Sequence, residues 1–186
     1  MDKAVTIAVT FTLVLALGCV TQPQQTTELK FADGLAELKA IESESSLDSG
    51  ATLAQLEAGK SALSALRQSF AAYSATRDSA ALLALTDFRL SYLDVQISAR
   101  SGLDKLDEIE ATCENRGTIS SALADLELAV NQTALAVQAF NSFKENYPEY
   151  LNQTSINPEF DIELLENADR ISTSIEQTGA QLQGCE

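Results

Sequence analysis

Apolar residues recur along most of this 186-residue chain at intervals of three and four, the period of a helix with one buried face. The first such stretch, residues 27–46, carries Phe31, Leu35, Leu38 and Ile41, with Gly34 weakening its middle. A Ser/Asp/Gly-rich turn follows at residues 45–50. The second stretch, residues 51–74, carries Leu53, Leu56, Leu63, Leu66 and Phe70. A break at residues 75–79 offers Asp78 or Ser79 as the next N-cap. The third stretch, residues 80–113, is the longest, and its stripe runs from Ala81 through Leu85, Phe88, Tyr92 and Val95 to Cys113. A second set, Leu82, Leu83, Leu90, Leu93 and Ile97, widens the apolar surface and places this helix at the centre of its bundle. Gly117 suits a left-handed C-cap after it, and Thr118 can cap the fourth stretch. That stripe includes Ile119, Leu126, Val137 and Phe140, and it stops before Pro148. After a polar connection over residues 148–156, Asn157 reads as an N-cap, with Pro158 at the first helical position and Glu159 complementing the dipole. Phe160, Leu164, Ala168, Ile171, Ile175, Leu182 and Cys185 share the face of this fifth helix.

No segment alternates as a strand does, and no clean internal repeat is visible. The pattern predicts one all-α domain over residues 28–186, an elongated antiparallel bundle of four to five long helices. Composition agrees, since the whole chain has 8 Gly and 3 Pro. Charge narrows the partners. Twenty-seven acidic residues against twelve basic ones give −15. Nucleic acid is not expected as a partner, because phosphate binding needs a basic face.

The chain before the helices is of another kind. Met1-Asp2-Lys3 leads into an apolar run, residues 4–17, too short for a spanning helix and of signal-peptide length. Then come Gly18-Cys19 and a Thr/Gln-rich stretch broken by Pro23. Leu15-Ala16-Leu17-Gly18-Cys19 resembles the lipobox of bacterial and archaeal lipoproteins, although Leu15 stands one position further out than that motif's leucine. The resemblance implies a signal peptide over residues 1–18, a lipid on Cys19, and a polar tether over residues 19–27. An uncleaved anchor and an ordinary cleaved signal are the other readings of these residues. All three place the helical domain outside the cytoplasm, and the first two tie it to the cell membrane.

Lipidation of Cys19 also explains an odd cysteine count, because it leaves Cys113 and Cys185 as a pair. Both fall at the ends of predicted helices separated by one other helix. In an up-down bundle those helices are parallel and end on the same side, so a disulfide is expected. Two free buried thiols are the alternative.

Candidate chemistry is otherwise sparse. Asn131-Gln132-Thr133 and Asn152-Gln153-Thr154 are glycosylation sequons, the second in a loop and the first in mid-helix. Carboxylates cluster at Asp104, Asp107, Glu108 and Glu110, and again at Asp161, Glu163 and Glu166. Di-iron bundles need Glu-x-x-His, and this chain has no histidine. The clusters lie opposite the apolar stripes and read as solvated faces. Without histidine, Ser–His and Cys–His nucleophiles are impossible. Ser/Lys neighbours such as Lys60-Ser61 exist, and nothing marks one out. No catalytic residue, metal site or cofactor is expected. Residues 136–148, with Ala136, Phe140, Phe143 and Tyr147-Pro148, are similar to the second helix of tetratricopeptide repeats in envelope-assembly lipoproteins. That resemblance implies a peptide- or protein-binding module. The expected function is a membrane-tethered, non-catalytic binding or structural bundle of the cell envelope, with an envelope protein as partner. The alternatives are the repeat-type binding module and a carboxylate-based cation-binding or enzymatic bundle.

Overall fold

The computed structural model describes residues 28–45, 50–73, 75–107 and 113–183, and among these every regular element is a helix. Helix α1 is Phe31–Glu44, α2 is Leu53–Ala71 and α3 is Arg77–Asp107. A 3-10 turn, Cys113–Asn115, leads directly into α4, Arg116–Asn146. Helix α5 is the short Pro148–Leu151, and α6 is Phe160–Gln183. Helices α3 and α4 have 31 residues each, about 46 Å of rod at 1.5 Å per residue.

Contacts along α3 fix the direction of each neighbour. Phe31 meets Asp78, and Glu42 meets Arg89, so α1 runs parallel to α3. Arg67 pairs with Asp87 and Lys60 with Asp94, so α2 returns antiparallel. Phe88 packs on Phe140, Ser98 bonds Gln132, and Lys105 bonds Asp125, so α4 is antiparallel too. Phe160 stacks against Phe88 and Tyr92, while Leu164 joins Val95 and Ala136 further along, so α6 rises parallel to α3. The result is an up-down bundle with α3 inside it, as its wide apolar surface predicted.

Local chemistry sets the boundaries. A capping box opens α2: Gln55 N–H donates to Thr52 Oγ1 at 3.3 Å, and Thr52 N–H donates to Gln55 Oε1 at 2.9 Å. At α3, Thr76 and Ser79 exchange the same two bonds, at 3.1 and 2.9 Å. This corrects the expected cap. The helix begins earlier, at Arg77, because the Thr76 hydroxyl is one turn ahead of Ser79, and Asp78 is left to bond elsewhere. Gly117 and Thr118 also differ from expectation: both lie inside α4, which follows the 3-10 turn without a left-handed residue between. Asn157 bonds Glu159 N–H at 3.1 Å through its side chain and Phe160 N–H at 3.0 Å through its carbonyl. It thereby closes a turn before α6, so Pro158 precedes the helix instead of opening it. Tyr147 leaves helical geometry at φ −134°, ψ 48°, as a residue before proline tends to, and Pro148 starts α5 within the connection expected to be irregular.

Large side chains fill the end where α3 begins. Phe70, Phe88, Phe140, Phe143, Leu63 and Leu82 are among those fully enclosed there. Gly34 is buried at this end, and a Cβ on it would fall inside the Leu82 side chain, so the glycine serves close packing of α1 on α3. Polar side chains inside the core are satisfied locally: Thr86 Oγ1 donates to the Leu82 carbonyl at 2.7 Å and Thr133 Oγ1 to Ala129 at 3.0 Å.

Candidate functional site

Three places gather polar or unpartnered chemistry. The first is the end where the chain enters α1. Asp78 accepts the Phe31 backbone N–H at 2.8 Å and the Tyr150 hydroxyl. These two bonds hold its carboxyl below the ordinary range, the tyrosine bond contributing most. The same contact pushes the Tyr150 hydroxyl upward. Beside it, Arg77 pairs with Glu149 at 2.5 Å, donates to the Asn146 carbonyl at 3.0 Å, and lies over the Tyr147 ring. One aspartate and one arginine thus fasten α1, α3, the end of α4 and α5 together.

The second is a cleft between α1 and α3. Arg89 Nε approaches Glu42 Oε1 at 3.0 Å, an ion pair lacking hydrogen-bond geometry. The pair separates two hollows. One, of about 280 Å³, reaches Lys39, Thr154 and Ser155, and the other, of about 100 Å³, reaches Tyr92 and Gln96. Burial pushes the Glu42 carboxyl above its ordinary value, against the pull of Arg89 and Lys39. Burial likewise raises the Tyr92 hydroxyl. Among the described residues Glu42 is the one carboxylate that lines these two hollows.

The third is the outward face of α4, where Leu128 and Leu135 stand 49% and 60% exposed.

The carboxylates expected as solvated faces are dispersed. Asp104 pairs with Arg100 at 2.7 Å, four residues away on its own helix. Asp107 is exposed at the end of α3, and Glu108 and Glu110 lie outside the described residues. Asp161 sits 3.5 Å from Lys144, Glu163 accepts from Asn157 at 2.6 Å, and Glu166 is exposed. Lys60, the neighbour of Ser61, is paired with Asp94. Among the described residues no three acidic or cysteine side chains converge as a metal site would require.

Of the other predicted residues, Cys19 and Cys185 lie outside the described residues, and the Cys113 backbone lies in the 3-10 turn before α4. Asn131 is exposed on α4, and Asn152 is exposed just after α5. Thr133 and Thr154 of their sequons are buried, with hydroxyls bonded to backbone carbonyls. The tetratricopeptide-like segment is the last part of a 31-residue helix, whereas a repeat of about 34 residues folds as a whole helix–turn–helix unit. Its Phe140 and Phe143 are fully enclosed in the bundle core and line no groove.

Sequence reasoning missed the Asp78–Tyr150 contact and the Glu42–Arg89 cleft. Their partners lie far apart along the chain, and no local motif joins them. Among the described residues no helix is long and apolar enough to cross a membrane. No protein-family model, no curated protein and no solved structure matches this chain.

Proposed function

We propose that this chain is an extracytoplasmic lipoprotein, tethered to the cell membrane through Cys19, whose helical bundle binds or spaces other envelope components without catalysis. The observation that carries the reading is the order of its first residues: a short apolar run, Gly18-Cys19, then a polar stretch. Asp104 paired with Arg100 and Asp161 beside Lys144 fit carboxylates that serve as a solvated, charged surface. The described chain enters α1 beside the start of α3, at one end of the rod, which suits a bundle standing away from its tether.

The reading includes a disulfide between Cys113 and Cys185. Helices α3 and α6 point the same way, and Phe88 and Phe160 meet at 5.7 Å between ring centres. The backbone of Cys113 follows α3, in the 3-10 turn before α4, and Cys185 lies outside the described residues. Closing a loop of roughly 70 residues is worth about 4 kcal/mol in the chain-entropy model.

The test is the intact mass of the membrane-fraction protein, wild type and Cys19→Ala. Loss of residues 1–18 with gain of lipid mass, abolished by the substitution, is the expected result. A full-length, unmodified chain overturns the lipid anchor. Peptide mapping with and without reduction reads the disulfide on the same sample, and free thiols at both cysteines remove it.

A further inference from the structure

We infer that α4 is a self-association surface, on which a second copy of this chain packs its own α4 side by side and parallel. One exposed row along the outward side of α4 is Ala124, Leu128, Asn131, Leu135, Gln138 and Ser142, with Glu127 and Ala134 exposed beside it. Their spacing alternates four and three, the heptad spacing of a coiled-coil seam. The inward face of the same helix carries the bundle core, including Leu126, Ala129, Thr133, Ala136 and Phe140. Helix α4 therefore bears a second, uncharged row, with Leu128 and Leu135 in the open and amides between them, which the fold leaves uncovered.

Charge identifies the occupant. The chain carries −15, so most of its surface repels another copy. From Leu128 to Phe143 there is no charged residue at all. This strip is where two acidic molecules can meet without placing carboxylate on carboxylate. Beside Leu135 a shallow hollow of about 450 Å³, lined on α3 by Ala84, Ser91 and Asp87, whose charge Arg67 offsets, leaves room for a side chain from the other copy.

Chemistry also fixes the orientation. In a parallel pair each seam residue meets its own copy. Leucine then packs on leucine at 128 and 135, and amide faces amide at Asn131 and Gln138, where each can donate and accept. An antiparallel pair would set Leu135 against Asn131 and Leu128 against Gln138, burying amides against apolar groups. The flanking Glu127 meets Gln132 of the second copy, so no like charges oppose. A single-helix seam belongs with small, transient interfaces, below about 1,200 Å². The inference does not depend on the lipid at Cys19, although two copies standing on one membrane would share this parallel orientation.

The experiment is sedimentation of the full chain in detergent micelles over a wide concentration range. Wild type, Leu135→Glu and Leu135→Lys are run separately and then as an equimolar mixture of the two variants. The expected results are reversible dimers for wild type and weakening by at least about tenfold for each variant alone, because like charges meet across the axis. Heterodimers should return in the mixture. Leu165→Glu, at a site on α6 that is 53% exposed, should change nothing. A photo-crosslinking residue at position 138 of the otherwise unaltered chain reads the orientation: adducts within residues 135–142 support the parallel pair, and adducts near residue 128 overturn it. A wild-type monomer at all concentrations, dimers indifferent to charge at 135, or a mixture that does not recover also overturns it. The Cys19→Ala chain measured alongside separates the two proposals: it should pair as wild type does, and a wild type found without lipid that still pairs would remove the tether reading alone.

Discussion

The two ends of this bundle are built differently. Where α3 begins, α1, α2, α5 and the end of α4 surround it, and the core is phenylalanine and leucine: Phe31, Phe70, Phe88, Phe140 and Phe143 are all at most 2% exposed. Beyond Val95 helix α1 has ended, and α3 continues beside α4, α6 and the first turns of α2. Small buried residues, Ala122, Ala129 and Gly102, sit there among Ile119, Leu126 and Leu164, and polar contacts also join the helices. Ser98 donates to Gln132 at 2.8 Å, Ser101 to Asp125 at 2.7 Å, and Lys105 to Asp125 at 2.6 Å. The first end is stabilised by buried area, which tolerates shape change poorly but supplies most of the free energy. The second depends on close backbone approach and on specific partners.

This difference is open to test by substitution, with stability read from denaturant unfolding. The largest effect belongs at the aromatic end. Phe140→Ala removes a fully buried ring in contact with Phe88 and Phe160, and it should cost about 3–5 kcal/mol. A loss below about 1 kcal/mol would mean that this core is not the main source of stability.

At the other end the sensitive change is an addition. A Cβ at Gly102 would lie 2.7 Å from Leu126 Cγ and 2.9 Å from the Ala122 carbonyl oxygen, so α4 must move. Gly102→Ala should therefore destabilise by about 1–3 kcal/mol despite alanine's better helix propensity. A stabilised variant would show that α3 and α4 are not held so closely.

A smaller effect is expected at the junction of α1 with α3, and it depends on pH. The folded carboxyl of Asp78 lies below its unfolded value, so its contribution is complete above about pH 3.9 and disappears as pH falls through the depressed folded value. Asp78→Asn should cost about 1 kcal/mol near neutrality, with the gap to wild type closing in acid. Glu42 has the opposite sign: its carboxyl is raised by burial, so its charge weakens folding as pH rises through the ordinary carboxylate value. A Glu42→Gln chain should lose that dependence, and parallel pH profiles for Asp78→Asn and wild type would refute the assignment at Asp78.

The smallest effect lies on the outside. Lys60–Asp94 joins α2 to α3 with side chains 44% and 35% exposed, and neutralising either partner should change stability by less than about 1 kcal/mol.

The helices were legible before any coordinates because each has a continuous stripe. Phe31 to Ile41, Leu53 to Phe70, and Ile119 to Phe140 all fall within the observed α1, α2 and α4. Boundaries were less legible. Asp78 carries a good cap side chain, yet Tyr150 and the Phe31 amide recruit it, and Thr76 caps instead. Gly117 looked like a stop, but the 3-10 turn and the first residue of α4 already precede it. Leu103 falls at the spacing of the α3 stripe between Val95 and Cys113 and is 50% exposed, while Leu135 stands in the open between buried residues of α4. Periodicity names a face, and only the neighbours determine whether that face is covered.

By itself, then, the sequence determined the helical class, the approximate extent of each long helix, the excess negative charge, and the want of histidine that removes several kinds of catalysis. These follow from interactions within about one turn of chain or from composition alone. The tertiary structure decided that α1 and α3 run parallel, that Arg89 meets Glu42 over a cleft, and that one stripe of α4 is buried while the other stays open. Such contacts join residues dozens of positions apart, and they depend on which faces pack first and how closely two backbones can approach. Nothing in the local pattern encodes that.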